Sequence, residues 1–172
     1  MKGVIAVCLS ELVTTQFGED KWKEILRASG LDENLIVLHT ADIEDSTVFT
    51  VIDSLCNVLG ISKQQAYDAF GDYFVNVYAK RVYKAYFIGV KSAKEFIMKM
   101  DNIHDLVTKN VPGARPPRFD FEHLNENTII VNYKSSRQMI DLYIGLVKGV
   151  GKYYNTPINI LKMSEQRVEL TF

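Results

Sequence analysis

Much of what this chain lacks already narrows its function. It has only two cysteines, Cys8 and Cys56, far apart and in no Cys-x-x-Cys pair. That excludes a zinc ribbon and argues against a disulfide-stapled secreted scaffold. Neither charge dominates: 20 Lys and Arg face 21 Asp and Glu, a net charge of −1, whereas nucleic-acid-binding domains usually carry a basic surplus. No apolar run is long enough for a signal peptide or membrane span. Glu11 stops the run over residues 3–9, and Asp53 and Asp141 break later ones. These absences predict a chain of the reducing cytoplasm that contacts neither membrane nor nucleic acid.

Catalytic signatures are missing as well. There is no Gly-x-Gly-x-x-Gly, and the glycine-rich stretch 145–152 (GLVKGVGK) is one residue too long for a phosphate loop. Tyr153 stands where a magnesium-binding Ser or Thr is needed, and the stretch lies inside a helical pattern. No serine-nucleophile motif occurs, and His39, His104 and His123 are too scattered for a His-Glu-x-x-His site. For hydrolysis or acid–base catalysis the sequence offers nothing specific. The glycines carry a different message. Gly145 and Gly149 share one helix face, and each costs about 1 kcal/mol against alanine in a helix interior, so a close approach of backbone or ligand is expected there.

What is present is a core. Of 172 residues 47% are apolar, with nine Phe, nine Tyr and one Trp, enough for one globular domain with a thick interior or a flat apolar ligand. Helical periodicity covers residues 2–17, 20–29 and 46–59. Ser62-Lys-Gln-Gln65 and Ser92-Ala-Lys-Glu95 read as capping boxes, the first opening a helix with Phe70, Phe74 and Tyr78, the second a long helix to residue 111. Alternation then takes over at 118–124 and 128–133, around the turn Asn125-Glu-Asn127. A helix from 136 to about 154 precedes strands at 158–163 and 167–172. Helices segregated from a mostly antiparallel sheet predict an α+β fold.

His104 stands out. On the stripe Phe96, Ile97, Met100, His104, Val107 and Val111 it takes a core slot. A histidine there is usually a packed, hydrogen-bonded core residue. The functional alternative is an imidazole nitrogen facing an apolar cavity and binding metal. One histidine cannot hold a bare transition metal tightly, but it can hold haem iron, because the porphyrin supplies four ligands. A haem also needs its propionates neutralised, and Tyr133-x-Ser135-x-Arg137 offers two hydroxyls and a forked guanidinium. Each has an ordinary reading too: Ser135-x-x-Gln138 as a helix cap, Tyr133 as a strand aromatic, Arg137 as a first-turn charge.

Together, His104 in its helix, Pro116-Pro117 ending thirteen residues later, and Tyr133/Ser135/Arg137 resemble the haem nitric oxide/oxygen-binding (H-NOX) family, which includes the haem domain of soluble guanylate cyclase. The resemblance spans the chain from Met1 to Phe172. It implies an N-terminal helical subdomain and a C-terminal antiparallel sheet with helices, haem b between them. It further implies His104 as proximal iron ligand, Tyr133, Ser135 and Arg137 on the propionates, and Pro117, Ile5 and Met100 against the porphyrin. The sequence stops soon after a strand, where family members often run further. Residues 1–172 are therefore expected to be one sensor domain, either cut from a longer signalling protein or a short free-standing member.

The gas pocket implied by the resemblance is lined by Leu9, Phe74, Val75, Tyr78, Leu142 and Leu146. A hydrogen-bond donor there stabilises bound dioxygen by about 1–3 kcal/mol, roughly tenfold to a hundredfold in affinity. Oxygen-binding members place a tyrosine five residues beyond the motif arginine, supported by a tryptophan and an asparagine. The corresponding residues here are Leu142, Leu9 and Phe74, all apolar. Tyr143 lies about 100° further round the helix; Tyr78 shares a face with Phe74 and could reach the pocket. The expected function is a non-enzymatic bacterial sensor of nitric oxide and carbon monoxide that excludes dioxygen. It would signal by weakening or breaking the bond between iron and His104, with relaxation of the haem. Its effector would be a fused chemotaxis transducer, a separate histidine kinase or a cyclic-dinucleotide enzyme. The rival reading is a haem-free domain that binds an apolar small molecule or serves as a scaffold; oxygen-activating haem catalysis fits less well, because no distal acid or base is evident.

Overall fold

Apolar residues at helical spacing build the first third of the chain. In the computed structural model, which describes residues 1–172, α1 (Gly3–Phe17) buries Cys8, Leu12 and Val13, α2 (Glu19–Ala28) buries Ile25 and Leu26, and α3 (Asp45–Leu59) buries Val48, Ile52 and Leu55. In α3 the spacings of four, three and seven put the set on one face, and α2 packs against both α1 and α3. Gly60, at φ 65°, ends α3 in the left-handed region where a side chain would be strained. The chain divides into two compact units, Met1–Ala66 and Tyr67–Phe172, and these helices form the first.

Helix α4 (Lys63–Tyr73) opens on the expected capping box. The Ser62 amide donates to Gln65 Oε1 at 2.8 Å, and the Gln65 amide donates to Ser62 Oγ at 3.2 Å. Beyond Tyr73 the structure departs from simple helical periodicity. Residues Phe74–Ala79 form a π-helix, followed by a single turn α5 (Lys80–Val82) and a 3-10 turn at Lys84–Phe87.

Ser92 caps α6 (Ala93–Met98), its Oγ accepting the Glu95 amide at 3.1 Å. The long helix expected to continue to residue 111 is instead two. The Lys99 amide is shared between the carbonyls of Glu95 and Phe96 (3.1 and 3.2 Å), and a separate helix α7 runs over Met100–Thr108. Phe96 and Ile97 therefore belong to one helix, Met100, His104 and Val107 to the next.

Strands β1 (Arg118–His123), β2 (Thr128–Lys134), β3 (Asn159–Ser164) and β4 (Arg167–Thr171) form an antiparallel sheet of order β1-β2-β4-β3. The register pairs Phe119 with Tyr133, Val131 with Val168 and Ile129 with Leu170, so alternate residues of three strands share one apolar face. Helix α8 (Ile140–Tyr153) lays Ile140, Tyr143, Ile144 and Val147 against it. The α+β expectation holds: the sheet and its covering helices are the core of the second unit.

Two details of α8 bear on the site. It starts at Ile140, not at residue 136. Gln138 has φ 52°, and Ser135 Oγ accepts the Arg137 amide at 3.2 Å, so the Ser135-x-x-Gln138 cap does not form. A β-carbon on Gly145 would lie 2.3 Å from the carbonyl oxygen of Tyr67, and one on Gly149 2.4 Å from that of Gly71. The expected close approach is thus backbone against backbone, α8 on α4. No helix is long and apolar enough to cross a membrane.

Candidate functional site

Helix α7 presents His104 toward the segment that leads into β1. His104 Nδ1 lies 3.0 Å from the carbonyl oxygen of Pro117. A carbonyl can only accept, so Nδ1 carries the proton and Nε2 is the unprotonated nitrogen. Burial holds the imidazole below the ordinary histidine range; the Pro117 hydrogen bond and the Asp101 charge oppose this only in part. The result is a neutral ring with a fixed tautomer, the form in which histidine binds a metal.

The geometry around this ring is tightly held. Asp101, one turn before His104, accepts from Arg118 Nε at 2.8 Å and Nη2 at 2.6 Å, and from the Phe119 amide at 2.9 Å. Asp105, just after His104, accepts from Arg118 Nη1 at 3.1 Å. Arg118 follows Pro117 directly, so one guanidinium ties α7 to β1 on both sides of the histidine. The Asp101 carboxyl is held below the usual carboxylate range, chiefly by its hydrogen bond to Arg118.

From His104 an aromatic chain runs to the sheet. Its ring centroid is 5.5 Å from that of Phe119, which is 5.9 Å from Tyr133 and 4.9 Å from Tyr143. Tyr133 is buried; burial raises its phenol, while hydrogen bonds involving Ser135 and the Met139 backbone and the Arg137 charge pull it back. Arg137 Nη1 donates to the Arg115 carbonyl at 2.6 Å. Tyr133, Ser135 and Arg137 are therefore one polar cluster at the end of β2, joined to His104 through Phe119.

The residues named for a gas pocket lie on different elements. Phe74, Val75 and Tyr78 sit on the π-helix, Leu142 and Leu146 on α8, all in the second unit. Phe70, Phe74 and Tyr78 stack in a row with centroids 5.7 Å apart at each step. Val75 and Tyr78 are buried, Phe74, Leu142 and Leu146 half-buried. Tyr143 does point elsewhere: it packs in the sheet core against Phe119 and Tyr133. Met100 packs against the same core. Ile5 and Leu9 lie on α1 of the first unit, half-buried and buried.

Phe119 and the Asp101–Arg118 clamp were not singled out from the sequence. Phe119 was legible only as an alternating strand residue. The clamp joins residues 17 apart, and no local pattern announces it.

The cluster has a definite chemical capacity. No group of three or more His, Cys, Asp or Glu could hold a metal ion, so an ion on His104 Nε2 must arrive with most of its own ligands, as porphyrin iron does. Tyr133, Ser135 and Arg137 supply donors suited to carboxylates. The residues present fit a haem.

Comparison with known proteins agrees with this chemistry. A family model described as Haem-NO-binding matches residues 2–162. Soluble guanylate cyclase gcy-32 of Caenorhabditis elegans is 26% identical over 157 residues, covering 88% of this chain and 23% of that protein. The chain thus spans about a quarter of the length of the curated relatives it matches. Among solved structures, an oxygen-binding H-NOX domain related to soluble guanylate cyclases, in its oxygen complex, superposes with TM-score 0.85 at 24% identity, covering all of this chain and 95% of that one. A second, solved to examine the molecular mechanism of H-NOX activation, gives TM-score 0.87 at 23% identity, covering 100% and 96%. At such identities the structural likeness establishes the fold.

Proposed function

The chain belongs to the Haem-NO-binding family, and from that premise we propose that it is a sensor domain that holds haem b through His104 and responds to nitric oxide and carbon monoxide while excluding dioxygen. The observation that carries this reading is the state of His104: half-buried, neutral, with Nδ1–H committed to Pro117 and Nε2 left unprotonated. Haem b would supply a ferrous iron able to bind a diatomic gas.

The protein's own residues do the rest. His104 Nε2 would hold the iron, and Tyr133, Ser135 and Arg137 would take the propionates. Pro117, Ile5 and Met100 bear on the porphyrin, an assignment that rests on family likeness. The π-helix and α8 contribute the gas-facing wall with Phe74, Val75, Tyr78, Leu142 and Leu146, and Leu9 is assigned to it by the same likeness. Leu142, Leu9 and Phe74 offer no hydrogen-bond donor; Tyr78 carries the one hydroxyl on this wall, and exclusion of dioxygen requires that it not donate to the bound gas.

Signalling is a change in α7. Nitric oxide binding would loosen the hold of His104 on the iron, and α7 would then remain tied to β1 by Arg118. It can then settle into a second packing whose population depends on the gas, by as much as the gas prefers one state over the other. The output would pass to an effector, either fused (a chemotaxis transducer) or separate (a histidine kinase or cyclic-dinucleotide enzyme).

The test is spectroscopic. Reduced, haem-loaded protein should give a five-coordinate spectrum with nitric oxide, a six-coordinate one with carbon monoxide, and no stable oxygenated form in air. A six-coordinate nitric oxide spectrum at room temperature contradicts the signalling route; a stable oxygenated form contradicts the selectivity.

A further inference from the structure

The π-helix at Phe74–Ala79 is an energetically costly departure from α-helix, and such segments occur often at functional sites. Adding one residue to a helical turn rotates everything after it by about 100°. The register of this segment therefore decides which side chains face inward. In the structure Val75 and Tyr78 are buried, while the equally apolar Val77 is 46% exposed. An α-helical register would turn these positions, and the exchange would cost little in polarity because Val77 can be buried.

One side chain stands at the widened turn and is bonded on two sides. Asn76 Nδ2 donates to the carbonyl of Asp72 at 3.2 Å, to Asp72 Oδ1 at 2.8 Å and, across to α8, to the carbonyl of Gly149 at 3.1 Å. Asp72 O lies one α-helical turn before Asn76, and the Asn76 side chain donates to it. Gly149 also marks a close contact between helices, where an added β-carbon would lie 2.4 Å from the Gly71 carbonyl oxygen. The segment is thus anchored to α8 by glycine contact before the π-turn and by an amide within it.

We propose that Asn76 is a positioning residue for gas selectivity: its amide holds residues 74–79 in the π register, and that register makes Val75 and Tyr78, rather than Val77, the inward side chains. The proposal deepens the gas-sensor reading and rests on it. Neither the capping pattern nor the helical periodicity of the sequence points to Asn76; the assignment comes from its three acceptors and from the exposure of Val77.

The test uses the full chain loaded with haem, comparing wild type, Tyr78→Phe, Asn76→Leu and the double variant. Leucine matches asparagine in size and removes the donor. The infrared stretch of bound carbon monoxide reports the wall of the pocket. Tyr78→Phe should shift the band in the wild-type background and leave it unmoved in the Asn76→Leu background, where position 78 has turned away. Without gas, amide hydrogen exchange across residues 72–82 should accelerate about tenfold in Asn76→Leu, as loss of a locking hydrogen bond allows. An unchanged exchange rate, or the same Tyr78→Phe shift in both backgrounds, overturns the role of Asn76. If the leucine variant does not fold, Asn76→Ser, whose shorter arm reaches only the Asp72 carbonyl, is read by the same two results. Failure of wild type to take up haem, or a wild-type band indifferent to Tyr78→Phe, overturns the gas-wall reading itself and this inference with it.

Discussion

Arg118 grips both carboxylate oxygens of Asp101, at 2.8 and 2.6 Å, and this pair sets where α7, and hence His104, lies against β1. It is partly exposed, so its worth is that of a good bidentate surface pair. Asp101→Asn should cost the haem-free protein about 1 kcal/mol, seen as a lowered urea midpoint with unchanged slope. A wild-type midpoint would show that α7 is held by its apolar contacts alone.

The same pair sets a pH dependence. Asp101 titrates below its ordinary value of 3.8 in the folded chain because Arg118 stabilises the charged form. The native state therefore binds this proton more weakly than the unfolded chain, and the contribution is fully present above the unfolded value and lost as pH falls through the folded one. Comparing wild type with Asp101→Asn, the stability difference should be flat from pH 5 to 8 and shrink below about pH 4. A difference that already declines between pH 7 and 5 would contradict the assignment.

Gly145 and Gly149 should not tolerate alanine. Each gains about 1 kcal/mol in helix propensity, but the new methyl would sit 2.3–2.4 Å from a carbonyl oxygen of α4. Backbone cannot yield as a flexible side chain does, so each substitution should be destabilising overall by roughly 1–3 kcal/mol, measured by thermal or urea unfolding. A stabilised variant would mean that α4 and α8 are not in contact there.

Much of this arrangement was legible in the sequence, and the exceptions share a cause. Ser62 and Gln65 announced a helix start because a capping box is local, and the strand pairs were visible in alternation around short turns. The break at Lys99 was not, because residues 97–100 contain no Gly or Pro and the interruption is one shared backbone hydrogen bond. The π-turn was invisible for the same reason: its composition is that of a helix, and its register is fixed by Asn76 reaching Gly149, 73 residues away. At Gln138 a left-handed residue moved the start of α8, although glutamine is not a usual signal for it. His104 was recognisable by type and stripe, but its tautomer required Pro117.

Tyr143 keeps its hydroxyl buried without a hydrogen-bond partner, and burial raises its phenol far above the ordinary tyrosine range. Removing an orphaned buried donor relieves a desolvation cost. Tyr143→Phe should leave the ring stack with Phe119 intact and raise stability of the haem-free protein by about 1 kcal/mol, measured by chemical denaturation. A clear loss of stability would show that the hydroxyl has a partner in solution.

The central claim is that one neutral imidazole holds the iron. The most direct measurement is the absorption spectrum of purified, reduced His104→Ala beside wild type, with circular dichroism confirming that both are folded. The account predicts an intense Soret band for wild type and its loss in the variant, restored with altered position when free imidazole is added. A variant that keeps its pigment and an unchanged ferrous spectrum without imidazole would contradict it.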